Sequence, residues 1–320
     1  MRAVDTILEN GLIVTLNSGA EVIENGSVAI DGQSIAAVGT RAEISDSFTS
    51  ENTIDAQNHL VMPGLINAHT HLSMTLLRGL ADDLVLEAFL ERVWKAEEAF
   101  MDPPTVRLGT ELALCEMIRG GTTFAQDMYW HPDASAEAAR AAGFRLMNGP
   151  IFVDFEGADH TPAEKRRELA VSFLDRFSGE DLIHPVLMPH GTYTVSPPLL
   201  EIIRTLAEEY SVPVHTHASE TEFEVATVQE NYGRTPAVQL DEHGLLQDST
   251  TLAHGVHLTP EDIQLLAERG SAVVHCPISN LKTAAGFAPL PALKEAGVPI
   301  LLGTDGTSSS NDLDIWKTMR

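Results

Sequence analysis

Lysine is nearly missing from this chain. Only Lys95, Lys165, Lys282, Lys294 and Lys317 occur in 320 residues, and 20 Lys+Arg face 46 Asp+Glu, for a net charge of −26. Nucleic acid and anionic membranes are poor partners for such a surface, because phosphate contacts need clustered Lys and Arg. The acid is dispersed along the chain, which gives an acidic surface suited to a salty solvent where screening weakens self-repulsion. Full folding at very low ionic strength, with no gain from added salt, would count against that expectation. Cysteine is as scarce: Cys115 and Cys276 make no disulfide framework, and a reducing cytoplasm is the expected compartment. No uninterrupted apolar run reaches the roughly 18 residues of a membrane span. Met1-Arg2-Ala3-Val4-Asp5 lacks the long apolar region of a signal peptide. No Gly-x-Gly-x-x-Gly follows a strand pattern, so a dinucleotide fold has no support.

What is present falls into two rhythms. Residues 1–59 read as a small antiparallel β domain, with hairpin signals at Asn10-Gly11 and Asp31-Gly32 between apolar runs. From residue 60 to 320, eight apolar strand-like runs alternate with helical patterns: 60–68, 122–128, 145–151, 184–190, 212–218, 250–256, 271–277 and 298–305. The helices between them include 105–119, 134–142, 197–209 and 260–269, the last opened by Thr259-Pro260-Glu261-Asp262. Eight such repeats favour an α/β fold of the (β/α)8 TIM-barrel type over an open sheet.

In such a barrel the working residues gather at the C-terminal ends of the strands. Of 13 histidines, seven fall there: His69, His71, His190, His215, His217, His254 and His275. His69 and His71 are spaced i, i+2, which puts both imidazoles on one face of a strand. Asp305 ends the eighth run inside Gly303-Thr304-Asp305-Gly306, where small neighbours leave room for a metal and a substrate. His69, His71, His217 and Asp305 can supply the ligands of a hydrolytic metal site, zinc or iron. Glu220, three residues past His217, suits a general acid/base. His254 suits a partner for the metal's water or a developing oxyanion. His215 has no ligand role left and is either a support for its neighbours or packing. Cys276 reads as a buried apolar residue, and His257, His184 and His243 as locally bonded or surface groups.

These residues lie in motifs that carry a resemblance. Pro63-Gly64-Leu65-Ile66-Asn67-Ala68-His69-Thr70-His71, Leu77-Arg78-Gly79-Leu80-Ala81-Asp82-Asp83, Gly120-Gly121-Thr122-Thr123 and His217-Ala218-Ser219-Glu220 are four of them. Ala253-His254-Gly255-Val256-His257, Pro277-Ile278-Ser279-Asn280-Leu281-Lys282 and Gly303-Thr304-Asp305-Gly306 complete the set. Together they resemble the amidohydrolase superfamily, in the branch of 5-methylthioadenosine/S-adenosylhomocysteine deaminases, cytosine deaminases and triazine chlorohydrolases. The resemblance implies one divalent metal, zinc with iron as the alternative, held by His69, His71, His217 and Asp305. It implies Glu220 as proton shuttle, His254 as the group orienting the water, and metal-bound hydroxide attacking the amino-bearing ring carbon of an adenosine-like nucleoside with loss of ammonia. It also implies substrate contacts at His190 and at Glu97, the latter on ribose hydroxyls. The small-molecule heterocycle is then the partner, and a homo-oligomer stays open.

Two departures qualify the resemblance. Asn148, in Arg145-Leu146-Met147-Asn148, stands where the family carries an arginine for a substrate carboxylate; it is assigned to the substrate site, and a smaller or neutral adenosine-like substrate gains ground. The family also continues beyond the position of Arg320 with the return strands of a β-sandwich layer, so a C-terminally truncated chain is expected. The rival functions are hydrolysis of another leaving group on an N-heterocycle, as in triazine chlorohydrolases, deamination of cytosine or guanine, and an inactive truncated metal-binding scaffold. Glu220 favours deamination, since ammonia leaves only after protonation whereas chloride needs no proton.

Overall fold

The computed structural model describes residues 1–320 and divides them into two compact units, Met1–Gly64 and Leu65–Arg320.

The first unit is a twisted sheet in the order Ser34–Thr40, Val22–Asp31, Thr6–Val14, Thr53–Asp55, with Leu60–Val61 also paired to Thr6–Val14. The helix Arg41–Ser47 opens on a reciprocal capping box between Thr40 and Glu43. Its Ile44 is buried with Val4, Ile7 and Ala29. Two expectations are corrected. Asn10-Gly11 is not a hairpin turn: the strand runs on through it, and Asn10 takes φ 63 at a bulge where the register jumps from Leu8–Val28 to Gly11–Gly26. Asparagine tolerates the left-handed conformation a bulge needs as readily as one a turn needs, so the dipeptide alone does not choose. A Cβ on the facing Gly26 would come within 2.4 Å of the Ile13 side chain, which explains a second glycine there. Nor is the layer wholly antiparallel, since Thr53–Asp55 and Leu60–Val61 pair parallel to Thr6–Val14. Asp31-Gly32 does turn a hairpin, with Gly32 at φ 58 between the paired Asp31 and Ser34.

The second unit is mixed α/β, and every strand pair in it is parallel. One sheet runs Ile183–Pro185, Arg145–Asn148, Thr122–Asp127, Leu65–Thr70; the other runs Val214–Ala218, Thr250–His254, Ala272–His275, Ile300–Leu302. The short pair Ile151–Phe152 and Met188–Pro189 continues the third and fourth strands after breaks at Gly149-Pro150 and Val186-Leu187. A proline cannot donate to a ladder, and a Cβ on Gly149 would fall on the Val186 carbonyl oxygen at 1.9 Å, so the breaks follow from local chemistry. The 60–68 run also splits, Leu60–Val61 belonging to the first unit. Backbone hydrogen bonds bridge both gaps between the sheets. His215 donates to Leu187 at 3.0 Å and His217 to His190 at 3.2 Å across one, while Asp305 donates to His69 at 3.0 Å across the other.

Helices lie between consecutive strands and are punctuated as their sequences require. Pro103–Gly120 starts at the Asp102 cap and stops at Gly121 with φ 85, and Pro260–Arg269 starts on a Thr259–Asp262 capping box and stops at Gly270 with φ 74. The apolar faces of Pro197–Tyr210 and Pro260–Arg269 bury Leu200, Ile203, Leu206 and Leu266 against Val214, Leu252 and Val273 of the strands. No helix is long and apolar enough to cross a membrane. Both cysteines are free, Cys276 fully buried and Cys115 exposed.

Candidate metal and active site

Strand ends bring the imidazoles together. His69, in Leu65–Thr70, and His71, just past it, lie with ring centroids 4.9 Å apart, and His217 of Val214–Ala218 lies 4.9 Å from His69 and 5.4 Å from His71. Each ring has its Nδ1 engaged. His71 Nδ1 donates to the Met128 carbonyl at 2.5 Å and His217 Nδ1 to the His190 carbonyl at 2.7 Å. His69 Nδ1 meets His215 Nε2 at 2.8 Å, and His215 Nδ1 meets Thr251 Oγ1 at 2.7 Å and the Thr251 carbonyl at 3.2 Å. With His215 donating to that carbonyl, its Nε2 accepts and His69 Nδ1 donates. This network assigns the same tautomer to all three rings and leaves their Nε2 lone pairs free.

Asp305 faces them from the segment after Ile300–Leu302. Its Oδ1 lies 3.1 Å from His71 Nε2 and 3.3 Å from His69 Nε2. Its Oδ2 accepts from Ser279 Oγ at 2.5 Å and Ser309 Oγ at 3.0 Å, and the Gly306 amide reaches Oδ1 at 2.8 Å. Asn67 pins the segment by exchanging hydrogen bonds with Thr304 at 2.7 and 3.0 Å. The glycines permit the approach: a Cβ on Gly303 would sit 2.9 Å from the His69 carbonyl oxygen, and one on Gly306 2.3 Å from the Met74 sulfur.

The electrostatics ask for a cation. Burial works against the Asp305 carboxylate, yet the His69 and His71 imidazoles hold its pKa well below the usual range. Burial also opposes charge on His71, but the hydrogen bond and charge of Asp305 lift it to about 9. Burial pushes His69 down to about 4, and its buried Nε2 makes no hydrogen bond. Ligand atoms of His69, His71 and His217 lie within 4.8 Å of one another, as do those of His69, His254 and Asp305. Three imidazoles converging with one carboxylate, the His71 proton giving way to the ion, are a donor set that fits a divalent metal.

Glu220 follows the strand Val214–Ala218 by two residues and is nearly buried, and burial raises its pKa. Its Oε2 lies 3.7 Å from His254 Nε2. His254 ends Thr250–His254 and donates from Nδ1 to Asn280 Oδ1 at 2.8 Å, so its Nε2 is left as an acceptor. Ser219, His254 and Asp305 all take positive φ, at 53, 75 and 60, and these strained positions sit where three strands give way to the site.

Above this floor opens a cleft lined by His71, His217, Asp305, Glu220 and His254 and walled by Leu86, Phe89, Trp94, Tyr193 and His190. His190 donates or accepts at Thr194 Oγ1, 3.0 Å away, and burial presses its pKa to about 3. Glu97 lines the same cleft from the helix Leu86–Phe100; Trp130 Nε1 donates to its Oε2 at 2.9 Å, and the buried Tyr129 hydroxyl also interacts with its carboxylate. Burial raises the Glu97 pKa. Asn148 is corrected: it does not line the cleft. It ends Arg145–Asn148 fully buried, with its amide donating to the Pro132 carbonyl at 2.9 Å, so a place near a strand end did not bring its side chain to the substrate side.

Several contributors lay outside the sequence reading. His215 was left between support and packing, and the structure gives it both Thr251 and His69. Asn280, quoted only within a motif, fixes the His254 tautomer. Glu224 is buried four residues beyond Glu220, and its Oε2 accepts the Glu220 amide at 2.8 Å. Its only sequence signal was the i, i+4 spacing of two acids at a helix start.

Converging imidazoles with free Nε2 atoms, a facing carboxylate, a buried acid and an aromatic-walled cleft define a metal-dependent hydrolase. Comparison with known proteins agrees: the amidohydrolase family model matches residues 60–320, and the chain belongs to that family. It is a hydrolase acting on carbon–nitrogen bonds. A 5-methylthioadenosine/S-adenosylhomocysteine deaminase of Syntrophobacter fumaroxidans is 44% identical over 315 residues, covering 98% of this chain and 72% of the relative. A 5'-deoxyadenosine deaminase of Methanothrix thermoacetophila is 42% identical over 308 residues, covering 94% and 72%. Among solved structures, an adenosine deaminase from Xanthomonas campestris with bound zinc superimposes with a TM-score of 0.96 at 40% identity, over 99% of this chain and 72% of that one.

Proposed function

We propose that this protein is a hydrolytic deaminase of adenosine-like nucleosides: adenosine, 5-methylthioadenosine or S-adenosylhomocysteine. The observation that carries the reading is the placing of Glu220 and His254 beside the His69, His71, His217 and Asp305 cluster on the floor of one cleft. His69, His71 and His217 through Nε2, and Asp305 through Oδ1, would hold one divalent ion, zinc before iron. Bound there, the metal supplies the Lewis acidity that makes a water nucleophilic near neutral pH. His254 Nε2 accepts a hydrogen bond from that water and orients it towards the amino-bearing ring carbon. Glu220 takes one proton from the water and gives it to the adjacent ring nitrogen as the carbon is attacked, then takes the second proton from the same oxygen and passes it to the departing amino nitrogen, so that ammonia leaves neutral and Glu220 ends as it began. Glu97 accepts from the ribose hydroxyls, and His190 contacts the base. The domain reading that supports this is a small β domain at 1–59 and a hydrolase domain at 60–320 whose parallel strands close as a (β/α)8 barrel. The hydrogen bonds across both gaps between the two sheets favour closure.

The test is ammonia release by the metal-loaded protein from adenosine, methylthioadenosine, S-adenosylhomocysteine, cytosine and guanine. Release from an adenine nucleoside supports the reading. Halide or alkylamine release from triazines, with none of ammonia from nucleosides, overturns it. Metal well below one equivalent with no hydrolysis would instead indicate an inactive scaffold.

A further inference from the structure

Lys282 is one of five lysines in an acidic chain, and its side chain is only 17% exposed. Its Nζ donates to Asp82 Oδ1 at 2.6 Å, to Asn311 Oδ1 at 2.7 Å and to the Ser308 carbonyl at 3.0 Å. An ammonium carries three protons, so these three acceptors complete it. The Asp82 side chain is 52% exposed, and an ion pair that open to water contributes little. The other two acceptors belong to one segment, the buried turn of helix Thr307–Ser310 and its cap Asn311, which takes φ 74. A second cation meets the same residue: Arg78 donates to the Asn311 carbonyl while binding Glu116 Oε2 at 2.6 Å.

Lys282 ends the short helix Pro277–Lys282, which carries Ser279. The segment it grips carries Ser309. Ser279 and Ser309 donate to the same atom, Asp305 Oδ2, from two pieces of chain that are each too short to be stable helices alone. With Oδ2 held by two hydroxyls, Oδ1 is the oxygen left towards His69 and His71. We propose that Lys282 is a positioning residue for the metal site: it clamps Pro277–Lys282 to the segment 307–311, keeps both serines on Asp305 Oδ2, and so aims Oδ1 at the ion. The proposal rests on the metal-site reading above. Lysine suits the task because its three donors diverge, whereas the planar fork of an arginine favours acceptors lying in one plane.

The test is the zinc dissociation constant of the full chain, measured by chelator competition, with thermal melts of the metal-free protein alongside. Ser309→Ala removes one hydroxyl from Oδ2 and should weaken zinc binding about tenfold. Lys282→Met, which keeps the length of the side chain and drops its charge, should weaken it about fivefold, acting at one remove. Asn311→Gly removes one acceptor of the clamp while keeping the left-handed backbone, and should act in the same direction even if Lys282→Met does not fold. Independent effects would multiply to about fiftyfold in the double variant of Lys282→Met with Ser309→Ala; a clamp acting through the serine should give clearly less. Asp82→Asn should change the constant less than about twofold. Zinc binding unmoved by Lys282→Met and Asn311→Gly, or the full multiplied loss in the double variant, overturns the clamp while leaving the metal site standing. So does a loss in Asp82→Asn as large as that in Lys282→Met, which would put the effect in the outer ion pair. A wild type that binds no zinc overturns the metal-site reading and the clamp with it.

Discussion

The floor of the cleft and its rim are built from different material. The floor comes from strand ends: His69, His217, His254 and the Asp305 segment are fixed by ladder hydrogen bonds, and each site histidine there has its Nδ1 bonded to a buried partner. The rim comes from the helix Leu86–Phe100 and from loops, and it leaves Trp94 half-buried and Phe155 and Glu156 exposed. Chemistry that needs sub-ångström placement sits on the rigid part, and recognition that tolerates variety sits on the adaptable part. If so, substitutions in the floor should remove metal or turnover, while those in the rim should change substrate preference.

The largest effect is expected for His217→Ala. Removing one of the converging Nε2 atoms should lower bound metal below one equivalent and bring ammonia release to background, read by metal analysis alongside turnover. Full metal occupancy in that variant would take His217 out of the ligand set. Glu220→Gln comes next: kcat should fall about 10²- to 10⁴-fold with metal content kept, as for loss of a general acid/base. Retained turnover would end its assigned role.

His215→Ala tests whether the support beneath the floor matters. Without it His69 Nδ1 loses its partner, and metal affinity should drop about 10- to 100-fold. Turnover should recover when metal is supplied in excess, which a simple folding defect would not allow. At the rim, Glu97→Gln should raise KM for a nucleoside about tenfold with kcat changed less, since one charged acceptor becomes neutral. Similar KM values for the nucleoside and for its 2′,3′-dideoxy analogue in the wild type would remove Glu97 from the ribose.

The same contrast governs what could be read from the sequence. The i, i+2 spacing of His69 and His71 needs only the period of a strand, and strand-end position is enough to gather His217, His254 and Asp305. Parallel strands and helix ends were equally readable, because Gly121, Gly143 and Gly270 stop helices by a local rule. Partnerships across strands were not. His215 depends on Thr251 from the neighbouring strand, and Asn148 on the Pro132 carbonyl, and neither register nor rotamer is written in spacing. Asn10-Gly11 failed for a related reason: one backbone conformation serves both a turn and a bulge, and only the pairing of Leu8 and Gly11 with Val28 and Gly26 decides between them.

Glu224 joins the two regions, and its effect should be the smallest and the most dependent on pH. It lies on the helix Glu222–Tyr232, yet its Oε2 accepts the amide of Glu220, the residue that leads from strand to helix. Burial raises its pKa from 4.5 to about 7, and the nearby Glu220 adds to the rise against the lowering effect of that amide. A carboxyl raised on folding gives stability that is full below its unfolded pKa and is lost as pH climbs through the folded one. The wild type should therefore lose stability between about pH 4.5 and pH 7 on this account. Glu224→Gln keeps an oxygen for the Glu220 amide but has no proton to release. The difference in unfolding free energy should thus move in favour of the variant across that interval, in melts or urea titrations at a series of pH values. A difference that stays flat with pH would mean that the buried carboxyl is already paired with a cation or reached by water, and the link between rim helix and floor would then be mechanical only.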